Sequence, residues 1–177
     1  MNLPKALVLW ALLLAAALAV FVFSGAYDVG ADVPHWGVTS ELLEFSRDRS
    51  IEAHAGGIKP PNLEDPRLIA IGAEHYSEMC TGCHLAPGME ETEIRQGLYP
   101  VPPRLAEPWP SDPVEEFWVI KHGLKFTAMP AWGKTHDDET IWGLVAFLHK
   151  LQGMTPEQYS AITAGASDEH PHHDHAN

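Results

Sequence analysis

One short pattern in this sequence directly implies chemistry: two cysteines separated by two residues, with a histidine after the second. Cys80-Thr81-Gly82-Cys83-His84 has the spacing of a c-type haem attachment site. Each thiol can add across a vinyl group of the porphyrin, so both sulfur atoms must lie on one side of a short helical turn. The imidazole of His84 then points at the iron as the proximal ligand. The motif predicts one covalently bound haem.

Other uses of the cysteines are less consistent with the sequence. Cys80 and Cys83 are the only cysteines, whereas a structural zinc ribbon needs a second pair or histidines at finger spacing. No strand-helix-strand pattern surrounds them, as a thioredoxin-like redox pair would require. A disulfide stays open as an alternative, but it gives His84 no role. The chain has 24 acidic and 11 basic side chains, a net charge of -13, which argues against nucleic acid as a partner.

An uncharged apolar segment, residues 6–23, follows Lys5 near the start of the chain. As a helix it is about 27 Å long, close to the hydrocarbon thickness of about 30 Å. Small residues at 24–26 leave a cleaved signal peptide as the alternative, although the run exceeds the roughly 7–15 residues of a signal core. Lys5 before the run and Asp28 after it place the N-terminus in the cytoplasm. We therefore expect residues 1–26 to be a single-pass anchor in the cytoplasmic (inner) membrane, with the remainder in the periplasm.

The segment after the anchor, residues 27–64, is expected to be a spacer that contains one helix. Thr39 or Ser40 can cap this helix, which should end near Ala55 before glycine and proline pairs.

A folded domain is expected over residues 65–155. Asp65 is a candidate N-cap for a helix that runs to the cysteines, with Pro66 at its first position. Residues 85–113 are too rich in proline for long regular elements and too apolar for a free linker, which is typical of a stiff wrap around a flat apolar object. A short helix over 115–122 should end at Gly123. An amphipathic helix capped by Asp137 or Asp138 should then run to Leu151.

Together these features resemble a class I cytochrome c over roughly residues 68–151. Gly72 and Tyr76, eight and four residues before the first cysteine, stand at that family's small and aromatic positions where the first helix crosses the last. Leu144 and Phe147 match the partner positions on the last helix. The resemblance implies an all-α class I cytochrome c fold around one haem c, preceded by the transmembrane helix.

The resemblance also implies that a methionine in a later loop is the second axial ligand. Met129-Pro130-Ala131-Trp132 looks like that loop, although Ala128 stands where a glycine often precedes the methionine. A thioether is a soft, neutral ligand that favours ferrous iron and raises the reduction potential. Strong ligands on both faces would leave no open site for substrate chemistry.

Other side chains remain as alternatives for the second ligand. Met129 could merely fill a gap in the core, as methionines often do. Met79 is too close in sequence to the proximal histidine to reach the opposite haem face, Met89 would need a very tight loop, and Met154 follows the last helix of the domain. His122 would give bis-histidine ligation, but a surface histidine at a helix end is the commoner case.

Several supporting residues are also predicted. A backbone carbonyl near Pro87 is expected to accept the outer N–H of His84 and so strengthen the ligand. Tyr99, Pro102 and Leu105 are candidate walls of the haem pocket.

Charged and histidine-rich segments suggest partners. Three lysines bracket Met129 in a stretch free of carboxylates, and we hypothesise that they steer an acidic redox partner; they are Lys121, Lys125 and Lys134. Residues 156–177 are expected to be a flexible tail. Its histidines suit copper, zinc or nickel; they are His170, His172, His173 and His175.

These inferences converge on an electron-transfer protein rather than an enzyme. Cys80, Cys83, His84 and Met129 are the predicted cofactor-binding residues, and His84 and Met129 are the predicted iron ligands. We expect one-electron transfer between a membrane-bound respiratory donor and a terminal acceptor. Two other roles stay open: a haem subunit of a larger dehydrogenase or oxidase complex, and a copper-linked module that uses the tail.

Overall fold

The computed structural model describes residues 2–110 and 112–169, and every regular element in these ranges is helical. The predicted all-α class is therefore confirmed. The chain forms two compact units, one that ends at His35 and one that begins at Trp36.

The first unit consists mainly of α1, Leu3–Ser24, a helix of 22 residues that is longer than the predicted 6–23. It starts earlier because Pro4 is accommodated in the first turn, where its missing N–H costs nothing. Gly25 ends it in the left-handed conformation, with φ 66°. The helix is about 33 Å long. Of the described helices it is the one whose length and composition suit a membrane span.

The second unit opens with α2, Gly37–Ala55, which ends where predicted. Its start differs, because the N-cap is Trp36 rather than Thr39 or Ser40. The carbonyl oxygen of Trp36 accepts from the amides of Thr39 (2.8 Å) and Ser40 (3.0 Å), which begins the first turn without any side-chain cap. Only the C-terminal end of α2 is buried, around Ile51.

The helix that leads to the cysteines is capped as predicted. An oxygen of Asp65 accepts from the amide of Arg67 at 2.9 Å at the start of α3, Pro66–His75. The backbone then continues through a wider π-helical turn, Tyr76–Cys80, into α4, Thr81–His84. Such wide turns occur frequently at functional sites.

The proline-rich segment after α4 confirms the prediction that it forms no long element. Of its described residues between 85 and 112, only α5, Glu93–Gln96, is helical. The next helix, α6, Pro113–His122, begins earlier than predicted because the carboxylate of Asp112 accepts from the amide of Val114 at 2.8 Å. Gly123, at φ 66°, ends it as expected.

The core is organised around α7, Asp138–Leu151, with the predicted cap: the carboxylate of Asp137 accepts from the amide of Thr140 at 2.9 Å. Most of this helix is buried, since α3 and α6 both pack on it. The core cluster consists of Ala73, Tyr76, Leu105, Phe117, Ile120, Ile141, Trp142, Leu144, Val145, Phe147, Leu148 and Leu151.

The crossing of α3 and α7 brings two backbones into contact. A Cβ on Gly72 would lie 2.0 Å from the carbonyl oxygen of Gly143. Close beside it, the rings of Tyr76 and Phe147 pack with centroids 5.5 Å apart. The predicted Gly72 and Tyr76 crossing is therefore confirmed, and Gly143 is an additional glycine that it requires.

A further helix, α8, Pro156–Glu169, corrects the prediction that a flexible tail begins at residue 156. Thr155 and Gln158 cap it reciprocally: the Thr155 amide donates to Oε1 of Gln158 at 2.8 Å, and the Gln158 amide donates to Oγ1 of Thr155 at 3.3 Å. Tyr159 and Ile162 then pack against the core cluster. Residues 170–177 lie outside the described residues.

The variant Gly72→Ala is expected to lower the free energy of unfolding by more than about 2 kcal/mol, because the added methyl group would overlap backbone atoms that cannot move aside. Thermal unfolding of the purified protein, followed by circular dichroism, measures this. Gly165→Ala is the control, since a Cβ there meets no atom within 4 Å. An unchanged Tm in Gly72→Ala would contradict the helix contact.

Candidate haem-binding site

The two predicted thiols lie at the end of one continuous helical segment. Cys80 closes the π-helical turn, Cys83 lies in α4, and both are free and half-buried. Burial, reinforced by the neighbouring Cys83, raises the pKa of the Cys80 thiol to about 12. Cys80 is therefore protonated at neutral pH. The structure does not join the pair in a disulfide.

The end of α4 is fixed by a buried tyrosine. Leu85 follows His84 at φ 62°, an uncommon conformation for a residue other than glycine. Its carbonyl oxygen accepts a hydrogen bond from the Tyr76 hydroxyl at 2.7 Å, and its side chain is buried. Because Tyr76 also packs on Phe147, the contact between α3 and α7 sets where the Cys80–His84 turn ends.

A hydrogen bond to the backbone helps to orient His84. Its Nδ1 lies 2.9 Å from the carbonyl oxygen of Pro103. Since a carbonyl can only accept, Nδ1 must donate, and Nε2 is the nitrogen left for a metal. The acceptor is Pro103 and not a carbonyl near Pro87, because the proline-rich segment returns to α4 only after α5.

His84 is also held in the form that binds metals. Burial lowers the pKa of its imidazole, the bond to Pro103 opposes this shift, and the positive charge of Arg95 adds to it. The net result is a pKa below the ordinary value for histidine, so the ring is neutral at physiological pH.

The loop that carries Met129 has its own internal bonds. The Thr127 hydroxyl donates to the Leu124 carbonyl at 2.8 Å and accepts from the Met129 amide at 3.0 Å. The Leu124 amide donates to the Met129 carbonyl at 3.2 Å. A Cβ on Gly123 would lie 2.7 Å from that same carbonyl oxygen, so glycine is required there. Met129 itself is half-buried and packs against the core cluster.

The structure brings some of the predicted residues together. Cys80 and Met129 contact the same core cluster, which also contains Leu105. Of the other candidate walls, Pro102 contributes a carbonyl oxygen to a bond with Arg95. Tyr99 lies half-buried in the proline-rich segment.

The alternative candidates for the second ligand are His122, Met89 and Met154, and each lies in a different environment from Met129. His122 is exposed at the end of α6, where its ring lies 5.0 Å from that of Trp118. Met89 is 38% exposed, whereas Met154 packs against the core cluster next to α8. Met154 follows α7 as predicted, but α7 is not the last helix of the domain, because α8 comes after it.

Of the three lysines predicted to steer a partner, one is paired with a carboxylate in the structure. Lys121 pairs with Asp138 at 2.6 Å, and its ammonium lies 5.3 Å from the centre of the Phe117 ring. Lys125 and Lys134 are exposed. Steering of a partner by these lysines remains a prediction.

A second metal site finds no support in the described residues, which contain no group of three or more histidine, cysteine, aspartate or glutamate side chains arranged to hold an ion. The tail histidines, His170, His172, His173 and His175, lie outside the described residues, so metal binding there remains a prediction from the sequence.

The residues present fit a haem. Two thiols, an imidazole with Nε2 free and a thioether are the donors that would hold a covalently bound porphyrin iron. Two buried donors, Trp109 Nε1 and Arg95 Nε, have no hydrogen-bond partner among the described residues. The carboxylates of a porphyrin are suitable acceptors for such donors.

Three features of the site were not found from the sequence. Gly143 could have been found from the sequence, because it stands four residues before Phe147 as Gly72 stands four before Tyr76. No sequence pattern indicated Thr127 or Arg95, since their roles depend on the path of irregular segments.

Removing the Tyr76 hydroxyl should destabilise the protein, because the buried Leu85 carbonyl would lose its partner. We expect Tyr76→Phe to lower the free energy of unfolding by about 1–3 kcal/mol, measured by denaturant titration of the haem-loaded protein. Tyr159→Phe is a matched control: its hydroxyl is buried without a partner among the described residues, so its removal should cost nothing. Equal losses in the two variants would contradict the assigned role of the Tyr76 bond.

Comparison with known proteins supports the same conclusion. Residues 67–148 match a family model described as cytochrome c oxidase, cbb3-type, subunit III. No curated protein and no solved structure matches the chain significantly. The matched segment runs from the first turn of α3 into the last turn of α7 and contains both cysteines, His84 and Met129. Residues 67–148 therefore form a c-type cytochrome domain of the class I monohaem kind, which implies haem-based electron transfer.

Proposed function

We propose that this protein is a membrane-anchored one-electron carrier. Cys80 and Cys83 would hold the haem covalently, each S–H adding across one vinyl group with sulfur on one carbon and hydrogen on the other. His84 and Met129 would hold its iron. The bound haem supplies a reversible one-electron couple between ferric and ferrous iron.

The observation that carries this proposal is the bond from His84 Nδ1 to the Pro103 carbonyl. It selects one tautomer, leaves Nε2 as the metal-binding atom and increases the basicity of the ring. A histidine held in this way, directly after two free cysteines, has the arrangement that a proximal ligand needs.

The bonded loop around Met129 supports the second ligand. Because Thr127 and Leu124 bond the backbone of Met129 on both sides, its thioether is presented from a defined position against the core. With both His84 and Met129 bound, the iron would have no open site for substrate, which favours a carrier over a catalyst. The soft thioether favours the ferrous state, so a comparatively high reduction potential follows.

The proposed location is the periplasmic face of the cytoplasmic membrane. The length and composition of α1 allow it to span the bilayer, and Lys5 is its one charged residue. With Lys5 on the cytoplasmic side and Asp28 beyond the other end, the positive-inside rule exports the haem domain. A respiratory donor and a terminal acceptor at the same membrane are the proposed partners.

A second role is favoured by the family match, whose description names a subunit of a cbb3-type oxidase. In that role the chain would be a fixed haem subunit of a larger complex. Native electrophoresis of a mild detergent extract distinguishes the two. A free carrier migrates as a small haem-staining band, whereas a subunit comigrates with a larger redox complex.

Met129→Ala is expected to abolish the weak near-infrared absorption band of methionine bound to ferric haem and to lower the reduction potential. Absorption spectroscopy and a redox titration of the purified haem protein measure both effects. Met89→Ala serves as the control, because Met89 is a partly exposed methionine of the same domain. A band that survives in Met129→Ala, or is missing from the wild type, would overturn the ligand assignment.

If α1 is retained as an anchor, the protein should behave as an integral membrane protein. Haem-staining protein should remain in membranes after a carbonate wash, and its mature N-terminus should lie before α1. Replacing residues 1–26 with a cleavable signal peptide should release an otherwise identical haem protein into the periplasm. A soluble wild-type protein whose mature chain begins after Ala26 would instead identify α1 as a signal peptide.

A further inference from the structure

A group of charged side chains lies beside the proximal ligand and is not part of the proposed ligand set. Glu91 bonds Arg95 Nη1 through both carboxylate oxygens, at 2.7 and 2.6 Å. The same carboxylate also bonds Nη2 of Arg104. We call Glu91, Arg95 and Arg104 the arginine clamp. Arg95 is the buried member, with 9% of its surface exposed.

The clamp holds the backbone that orients His84. Nη2 of Arg95 donates to the carbonyl oxygen of Pro102 at 2.8 Å. The next carbonyl, that of Pro103, accepts from Nδ1 of His84 at 2.9 Å. Arg104, the following residue, is tied to Glu91. The acceptor for the proximal histidine is therefore flanked on both sides by residues that the clamp fixes.

The clamp matters because Pro102 and Pro103 cannot form backbone hydrogen bonds as donors. Pro102 and Pro103 have no backbone N–H, so neither can donate a hydrogen bond to neighbouring backbone. Their carbonyl oxygens can still accept, and the hydrogen bonds that they accept in this segment come from the side chains of Arg95 and His84. Arg95 is the donor that the described structure supplies to Pro102.

The clamp is also linked to the haem-attachment turn itself. The Thr92 hydroxyl donates to the carbonyl oxygen of Gly82, between the two cysteines, at 2.5 Å. The same oxygen atom of Thr92 accepts from the Arg95 amide at 3.1 Å and caps α5. One short helix thus connects the turn that carries His84 to the segment that carries its acceptor.

We propose that Arg95 is a positioning residue for the axial histidine: through Glu91 and Pro102 it holds the Pro103 carbonyl against His84 Nδ1. This proposal rests on the proposed function, since it takes His84 as the iron ligand. Arg95 acts through the backbone and does not contact the iron. Loss of the clamp should weaken the Nδ1–H bond of His84 even where the fold persists.

The direct readout is the exchange of the His84 Nδ1 proton with solvent, measured by NMR on haem-loaded protein with labelled histidine. Arg95→Gln should speed this exchange by about tenfold or more, the scale of one lost hydrogen-bond contribution. Arg67→Gln is the matched control: it makes the same substitution in an exposed arginine, which pairs with Glu139 at 2.9 Å away from the clamp. Its exchange rate should equal that of the wild type.

A second variant keeps the test decisive if Arg95→Gln does not fold or does not retain haem. Glu91→Gln keeps Arg95 and its bond to Pro102 but removes the charge that holds both arginines, and a smaller acceleration is expected. A purely structural role would lower Tm and leave the exchange rate unchanged, and that result in either folded variant overturns the proposal.

The wild-type spectrum separates this proposal from the one on which it rests. If His84 binds ferric iron, its ring protons are shifted strongly by the paramagnetic centre. Absence of shifted His84 signals overturns the ligand assignment and the positioning role together. Shifted signals with an unchanged exchange rate in Arg95→Gln overturn the positioning role alone.

Discussion

The backbone contact between α3 and α7 at Gly72 and Gly143 fixes the core of the second unit and the start of the haem-attachment turn. No side chain separates the two helices there, so the atoms on either side of the contact are fixed with little freedom. Tyr76 is thereby pressed onto Phe147, and its hydroxyl reaches the Leu85 carbonyl. The attachment turn, Cys80–His84, lies between Tyr76 and Leu85 in the chain. Its position therefore follows from the crossing of α3 and α7.

The second half of the site is built by a different kind of interaction. The segment after α4 is too rich in proline to form ladders of backbone hydrogen bonds, and side chains replace them. Thr92 bonds Gly82, and Arg95 bonds Pro102 while it pairs with Glu91. A buried arginine is tolerated because its charge is paired and most of its donors are used. The haem site thus combines a rigid apolar crossing with a polar network of nearby residues.

This arrangement suits electron transfer. Reorganisation of a redox centre is small when its ligands are held by surroundings that do not move, and both candidate ligands here are held through backbone bonds. His84 is fixed by Pro103, and Met129 is fixed by Thr127 and Leu124. The helix α8 extends the same body by packing Tyr159 on the core, so the described part of the domain reaches beyond the segment matched by the family model.

Features that depend on neighbouring residues could be read directly from the amino-acid sequence. The attachment motif, the caps at Asp65 and Asp137, and the helix end at Gly123 could be predicted, because each signal lies within a few residues of its effect. That Pro103 accepts from His84, nineteen positions away, and that Arg95 bonds the adjacent carbonyl depends on how the chain folds and could not be predicted. Proline-rich backbone carries no periodicity from which its path can be inferred, so its partners are known only once the chain is folded.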